Sequence, residues 1–125
     1  MTKKKTINDA ESIKSQVVAA MQEKKGKEII SLDFGKIPDA VTKYFVICHV
    51  SSRTQARAIF DYVAEKVKLN LETDPYHREG YENSEWLLID YADVVVHIFV
   101  EETRSFYDIE SLWADAVIRK YESEI

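Results

Sequence analysis

The stretch EWLLIDYADVVVHIFV, residues 85–100, constrains the fold more than any other part of this sequence. It predicts two strands that meet at a turn near Tyr91 and Ala92. Side chains on a strand alternate between the two faces of a sheet. One face of this predicted hairpin is entirely aliphatic, and its residues are Leu87, Ile89, Val94, Val96, Ile98 and Val100. That composition predicts a face buried beneath helices.

The opposite face of the hairpin mixes indole, phenyl, imidazole and carboxylate groups. Its residues are Trp86, Leu88, Asp90, Val95, His97 and Phe99. A dry interior disfavours such a mixture, because buried polar groups need partners. Sheets with antiparallel strands are often covered on one face and open on the other. We therefore predict that this second face is open and carries the function of the protein.

Capping residues and hydrophobic spacing predict two helices in the first part of the chain. Asn8 is the expected N-cap of the first helix, with Glu11 three residues later, and Gly26 is its stop signal. Ser52 and Gln55 have the spacing of a second capping box, which opens a helix expected to reach about residue 70. Two strands are expected between these helices, over residues 28–34 and 44–50.

The second half of the chain completes a mixed sheet. The polar segment 71–84 contains Pro75 and Gly80 and allows a short edge strand at best. A last helical region is expected after the hairpin, with an apolar side made of Ile109, Leu112, Trp113, Ala116 and Val117. We predict one domain over residues 1–125, of the α/β (α+β) class, with the helices mainly on one face of the sheet. Residues 1–7 are expected to form a flexible basic tail, and residues 115–125 a C-terminal extension.

Charge and hydropathy exclude several classes of function. The formal net charge is −5, which argues against broad docking on a phosphate backbone and predicts little direct contact with nucleic acid. No apolar run reaches the about 18 residues that a membrane span needs. The basic start has no hydrophobic region after it, so we do not expect it to act as a secretory signal. These features predict a cytoplasmic protein that does not enter a membrane.

A small metal-dependent nucleotidyltransferase is the main enzymatic alternative. The strand-to-helix turn at residues 50–53 invites it, because a helix N-terminus can hold phosphate. Two-metal transfer needs carboxylates that share one face of the sheet, whereas Asp90 and Asp93 flank a turn and are three residues apart. The turn also lacks the glycine that would bring its backbone close to a phosphate. We therefore disfavour this alternative and expect no cofactor.

The cysteine and the histidines offer a second route to catalysis. Cys48 and His49 are adjacent in a predicted strand and face opposite sides, so they cannot form a nucleophile and base pair. A single cysteine excludes an internal disulfide. His49, His77 and His97 lack the spacing of metal ligands. A hydrogen-bonded histidine within the sheet is the favoured interpretation of His97.

Aromatic side chains on or near the second face indicate a protein-docking surface. Tryptophan and tyrosine dominate the energetically important positions of interfaces. The aromatic residues concerned are Trp86, Tyr91, Phe99, Phe106 and Tyr107. The alternative, that they fill a core or a homodimer contact, remains open at this point. The residues alone indicate a binding module and do not identify its partner.

An ordered set of motifs extends this interpretation. The first half contains EIISLD (28–33), YFVIC (44–48), SSR (51–53) and AIFDYV (58–63). The second half contains EG (79–80), WLLID (86–90), DVVVHIF (93–99), Arg104, Tyr107 and IESLW (109–113). From about residue 8 to residue 115, this set resembles the Iojap family, which includes the ribosomal silencing factors (RsfS).

The resemblance implies a fold and a function. The implied fold is nucleotidyltransferase-like without catalytic carboxylates, and the implied protein is not an enzyme. It would bind ribosomal protein uL14 on the large ribosomal subunit, block joining of the small subunit and repress translation when nutrients are limiting. We expect the residues that contact uL14 to be Trp86, Leu88, Tyr91, Asp93, Phe99, Glu101, Glu102, Arg104 and Tyr107.

Two positions depart from the family pattern. The family usually has Thr-Gly before the Ser-Ser-Arg segment, where this chain has CHV (48–50). It usually has Gly-Asp at the hairpin turn, where this chain has Ala92 and Asp93, so the turn geometry is expected to differ. An open face with Trp86, Leu88 and Phe99 would also leave an apolar patch in water. We therefore expect a weak homodimer that competes with ribosome binding.

Overall fold

Six strands and four helical segments make up the protein in the computed structural model, which describes residues 9–123. In chain order they are α1 (Ala10–Glu23), β1 (Lys27–Asp33), β2 (Tyr44–Val50), α2 (Arg53–Leu71), β3 (His77–Glu79), β4 (Trp86–Asp90), β5 (Val94–Val100), α3 (Glu101–Tyr107), α4 (Ile109–Leu112) and β6 (Val117–Tyr121). The strand order in the sheet is β3-β4-β5-β2-β1-β6. Strands β2 and β5 run parallel and the other neighbours antiparallel. The mixed sheet and the β4–β5 hairpin predicted from the sequence are confirmed.

Side-chain caps begin both long helices. Ser52 caps α2 by accepting a hydrogen bond from the backbone N–H of Gln55 at 3.1 Å, as its spacing predicted. Asp9 caps α1 by accepting from the backbone N–H of Ser12 at 2.8 Å. The cap of α1 is therefore not the predicted Asn8, which lies outside the described residues together with the predicted basic tail.

The main core lies between α1, α2 and the aliphatic face of the sheet. Five residues of the predicted aliphatic row have no exposed surface: Leu87, Ile89, Val94, Val96 and Ile98. They pack with the apolar stripes of both helices, including Val17, Met21 and Val63. Truncating one such side chain to alanine typically costs about 2–5 kcal/mol of stability. Val100 is only partly buried because β5 ends there and α3 begins.

A second, smaller core covers much of the face that we predicted to be open. It consists of Ile30, Leu32, Phe34, Ile47, Phe99, Ile109 and Ala116, with Ile37, Phe45 and Trp86 packed against it. The segment after β5 folds back over β1 and β2, and its Ile109 and Ala116 close this core. The prediction of an open second face was therefore wrong over β1 and β2, and also over much of β5, where His97 is 4% exposed and Phe99 has no exposed surface. The face is half-buried along β4, where Trp86 and Leu88 lie.

The last predicted helical region is also partly wrong. Helix α3 ends at Tyr107, Asp108 adopts a left-handed conformation with φ of 46°, and α4 ends at Leu112. Residues Val117–Tyr121 then form β6, which pairs antiparallel with β1 and places Ile118 opposite Leu32. Branched and aromatic side chains in VIRKY fit a strand. Residues 117–121, part of the predicted C-terminal extension, thus belong to the sheet.

A tight turn precedes each of the strands β4 and β5. Gly80 has φ of +88°, and a Cβ atom there would overlap the carbonyl oxygen of Trp86. This close approach explains why glycine follows Glu79. At the β4–β5 turn, Asp90 accepts a hydrogen bond from the backbone N–H of Ala92 at 2.7 Å. Ala92 is left-handed with φ of 74°, a conformation that glycine adopts without strain.

Replacing Ala92 by glycine is expected to raise the free energy of unfolding by about 1 kcal/mol, because a left-handed conformation costs an L-residue roughly that much. Urea denaturation measures the change. The matched control is Ala114→Gly, since Ala114 is also exposed and is absent from the positive-φ residues. That control should lose stability or stay unchanged. Equal destabilisation by both substitutions would contradict a strained turn.

Candidate docking surface

A row of aromatic rings crosses the second face of the sheet. Ring centroids lie 4.9–5.0 Å apart in the pairs Phe106–Tyr107, Tyr107–Trp86 and Trp86–Phe99, and 4.5–5.2 Å apart in the pairs His97–Phe45, Phe45–Phe34 and Phe34–Trp113. The two halves of the row meet at Trp86 and His97, whose centroids are 6.0 Å apart. The middle of the row is buried, whereas its ends reach solvent. Phe106 is 80% exposed and Tyr107 is 52% exposed. Large exposed rings beside one another are typical of interface anchors.

Acidic side chains adjoin the exposed end of this row. Glu101 and Glu102 occupy the first turn of α3, and both are exposed. Carboxylates at a helix N-terminus are also favoured by the helix dipole, so their presence alone does not require a partner. Trp86 pairs with Phe99 across the hairpin, which brings the start of β4 next to the end of β5. Trp86, Leu88, Glu101, Glu102, Phe106 and Tyr107 are hereafter the docking surface.

The docking surface contains five of the nine residues expected to contact uL14 and adds one. The addition is Phe106, whose signal in the sequence was its place beside Tyr107 in a polar helix. Asp93 is exposed but lies before β5, whereas Glu101 follows its end. At about 3.3 Å per residue, the length of β5 separates them by more than about 20 Å. Asp93 therefore does not join the surface.

Two other expected contact residues are buried. Phe99 has no exposed surface and lies against Trp86, with ring centroids 4.9 Å apart. Tyr91 is 3% exposed and belongs to the main core. Burial raises the pKa of the Tyr91 hydroxyl to about 12. In this conformation neither side chain reaches a partner, so the prediction of direct docking by Phe99 and Tyr91 is corrected. Phe99 supports Trp86 from beneath, whereas Tyr91 packs in the main core.

Arg104, the remaining expected contact residue, is 7% exposed and forms an internal network. Its Nε and Nη2 atoms lie 3.0 and 2.9 Å from one carboxylate oxygen of Glu110. Its Nη1 atom donates to the carbonyl oxygen of Glu28 at 2.9 Å and to His49 Nδ1 at 3.0 Å. Arg104 therefore links α3 and α4 to the sheet. The prediction that its side chain contacts a partner is corrected to this structural role.

An irregularity in β1 creates the position that Arg104 occupies. The β1–β2 register shifts between Lys27 and Ile30, and Glu28 is left-handed with φ of 47°. Such a bulge leaves backbone groups without partners in the ladder, and the Glu28 carbonyl bonds to Arg104 instead. Burial and the neighbouring guanidinium lower the pKa of His49. Because a guanidinium can only donate, Nδ1 of His49 carries no proton and accepts the hydrogen bond from Arg104.

Residues considered for catalysis have structural partners. Ser51 donates to the side-chain oxygen of Gln55 at 2.7 Å, and Arg53 forms an ion pair with Glu85 at 2.6 Å. Burial raises the pKa of the Cys48 thiol to about 12.

Within residues 9–123, no group of three or more His, Cys, Asp or Glu side chains could hold a metal ion. Among these residues there is also no helix long and apolar enough to cross a membrane.

A cavity of about 560 Å³ lies beside α2 and the β3–β4 turn. Phe60 and Asp61 line one side, and residues 78–83 line the other. Tyr81 crosses between the two sides, because its hydroxyl donates to Asp61 at 3.0 Å and its ring lies 5.2 Å from Phe60. The cavity is separate from the docking surface except near Glu79 and Gly80, which also line a groove with Trp86 and Leu88.

Comparison with known proteins gives a consistent family. Residues 7–125 match the family model for RsfS, ribosomal silencing factor during starvation. The chain is 37% identical to ribosomal silencing factor RsfS of Bacillus subtilis over 105 residues, which cover 84% of this chain and 87% of that protein. It is 33% identical to the mouse mitochondrial assembly of ribosomal large subunit protein 1 over 86 residues, 67% of this chain and 36% of that protein.

Solved structures agree with the sequence comparisons. A crystal structure of a Chromobacterium violaceum protein superposes with a TM-score of 0.79 at 34% identity, covering 85% of this chain and 87% of that one. A Bacillus halodurans crystal structure superposes with a TM-score of 0.72 at 32% identity, covering 90% and 98%. The family model spans nearly the whole chain, and the Bacillus subtilis relative exceeds 30% identity across most of it. This chain belongs to the RsfS family of ribosomal silencing factors.

Proposed function

We propose that this protein binds ribosomal protein uL14 on the large ribosomal subunit through the docking surface. Bound there, it blocks joining of the small subunit and represses translation in the cytoplasm when nutrients are limiting. Family membership supports a regulatory protein rather than an enzyme. The structural observation that supports the proposal is the pair of exposed rings, Phe106 and Tyr107, beside the exposed carboxylates Glu101 and Glu102.

The chemistry of the docking surface favours a basic protein partner. Exposed rings can enter apolar pockets on a partner, and acidic residues at the rim accelerate encounter with a positively charged surface. A net charge of −5 disfavours broad contact with ribosomal RNA, which favours a contact with a ribosomal protein. Occupying the joining surface suffices for steric exclusion, and the mechanism therefore needs no cofactor.

Reversing the charge of Glu101 should slow association with isolated large subunits by about three- to tenfold at low salt, since rim charges act mainly on the association rate. Raising the salt concentration should shrink this difference because exposed charges are screened. Stopped-flow or surface-immobilised binding measures both rates. Glu65→Lys is the control, since Glu65 is exposed on α2, which packs on the opposite face of the sheet. Equal slowing by both substitutions would indicate a non-specific charge effect.

The same surface supports a weak homodimer of the free protein. Phe106, Tyr107 and the half-buried Trp86 leave apolar area that a second copy can cover. We expect a concentration-dependent shift from monomer to dimer in sedimentation velocity across the micromolar range, weakened by Phe106→Ala. Large subunits should compete with the dimer. A protein that stays monomeric over this range would contradict self-association.

A further inference from the structure

Trp86 connects the exposed rings of the docking surface to the sheet. Its ring centroid lies 4.9 Å from buried Phe99 on one side and 5.0 Å from exposed Tyr107 on the other. Tyr107 in turn lies 5.0 Å from Phe106, edge to face. The orientation of the Trp86 indole therefore affects the positions of the exposed Tyr107 and Phe106 rings.

A hydrogen bond from within the core fixes this indole. Trp86 Nε1 donates to His97 Nδ1 at 3.0 Å. An indole N–H can only donate, so Nδ1 of His97 carries no proton and the ring proton lies on Nε2. Burial lowers the pKa of His97 to about 3, which keeps the ring neutral and Nδ1 available as an acceptor at neutral pH.

Packing alone does not explain a histidine at this position. His97 Nε2 is buried and has no hydrogen-bond partner among the described residues. An unpaired buried donor costs free energy, whereas an apolar side chain of similar size would avoid that cost. The ring also packs 4.5 Å from Phe45 and lies nearly parallel to Phe99, with an interplanar angle of 12°. These neighbours hold the imidazole plane with Nδ1 directed at Trp86.

We propose that His97 is a positioning residue for the docking surface. Its Nδ1 atom holds the Trp86 indole in the orientation that supports Tyr107 and Phe106, and so prepares the two exposed rings for binding. The inference rests on the proposed function, because that function assigns this surface to the large subunit. Trp86→Ala would not test it, since removing the indole also removes packing from the second core.

Two substitutions of His97 separate the effect of its hydrogen-bond acceptor from the effect of its side-chain volume. His97→Asn keeps an oxygen acceptor near the place of Nδ1, and His97→Leu keeps apolar volume without an acceptor. His97→Phe is the second acceptor-free variant, used if His97→Leu does not fold. The Trp86 indole N–H is followed by NMR, with its resonance assigned by comparison with Trp113→Phe. Affinity is measured by co-sedimentation with isolated large subunits.

His97→Leu should show solvent exchange of the Trp86 indole N–H that is at least about tenfold faster, and affinity at least about tenfold weaker, than the unchanged protein. His97→Asn should stay within about threefold in both. The inference would be overturned if His97→Leu kept the wild-type exchange rate of the Trp86 indole N–H and the wild-type affinity for large subunits. It would also be overturned if His97→Asn lost as much as His97→Leu in both measurements. If the unchanged protein does not bind large subunits, the proposed function fails, while the exchange rates still decide whether His97 orients Trp86.

Discussion

Replacing Arg104 by alanine is expected to lower the free energy of unfolding by about 3 kcal/mol or more, because the substitution removes a buried guanidinium and leaves its partners unpaired. The Glu110 carboxylate, the Glu28 carbonyl and His49 Nδ1 would each lose a donor. Urea denaturation measures the loss. Arg104→Lys should recover only part of it, since an ammonium group cannot reproduce the planar set of guanidinium bonds.

The matched control for Arg104 is Arg53→Ala. Arg53 also pairs with a glutamate, Glu85, but both side chains of that pair are well exposed. Exposed ion pairs contribute at most about 1 kcal/mol, so this variant should remain nearly as stable as the unchanged protein. An Arg104→Ala protein that is equally stable yet fails to bind large subunits would contradict the structural role. It would restore Arg104 to the docking residues.

The double substitution Phe106→Ala/Tyr107→Ala is expected to produce the largest loss of affinity for large subunits. Truncating a central interface aromatic typically costs about 2 kcal/mol or more, so additive losses at the two positions predict a complex weakened by about 700-fold. Stability should change little, because Phe106 is 80% exposed and Tyr107 is 52% exposed. Co-sedimentation and urea denaturation of the same preparations separate the two effects.

Tyr76→Ala provides the control for exposed aromatic surface. Tyr76 is 81% exposed and precedes β3, near Asp90 and therefore at the opposite end of β4 from Trp86. Its removal should leave affinity unchanged. If Tyr76→Ala weakens binding as much as the double substitution does, the binding site lies elsewhere on the protein.

Local signals in the sequence predicted the parts of the fold that depend on local physics. The alternation in residues 85–100 identified the hairpin and its buried aliphatic row. The Ser52 cap followed from its spacing to Gln55. Each of these features is decided by neighbours within a few residues or by a strict period of two, so one sequence suffices to find them.

Long-range contacts decided the parts that the sequence did not predict. Ile109, Leu112, Trp113, Ala116 and Val117 have helical spacing, yet Val117 begins β6 because β1 offers a free edge for pairing. That pairing and the contacts of Ile109 and Ala116 close the second core over Phe99. Tertiary contacts here overrode a local pattern, and the same closure removed Phe99 from the surface.

The expected docking residues show the same difference between local patterns and long-range contacts. Glu101, Glu102 and Tyr107 are exposed as expected, because a short polar helix after β5 keeps them in water. Arg104 in that same helix is buried, since the bulge in β1 presents a backbone carbonyl 76 residues earlier in the chain. No pattern around Arg104 reveals that partner. Long charged side chains are rarely buried unless paired, and their pairing is a property of the fold.

A subunit-joining assay tests the central claim most directly. Purified large subunits are incubated with the protein before small subunits are added, and the products are separated on a sucrose gradient. We predict that the protein sediments with free large subunits and lowers the fraction of joined ribosomes, while the Phe106→Ala/Tyr107→Ala variant does neither. Undiminished joining at a saturating concentration of the unchanged protein would contradict repression by steric exclusion.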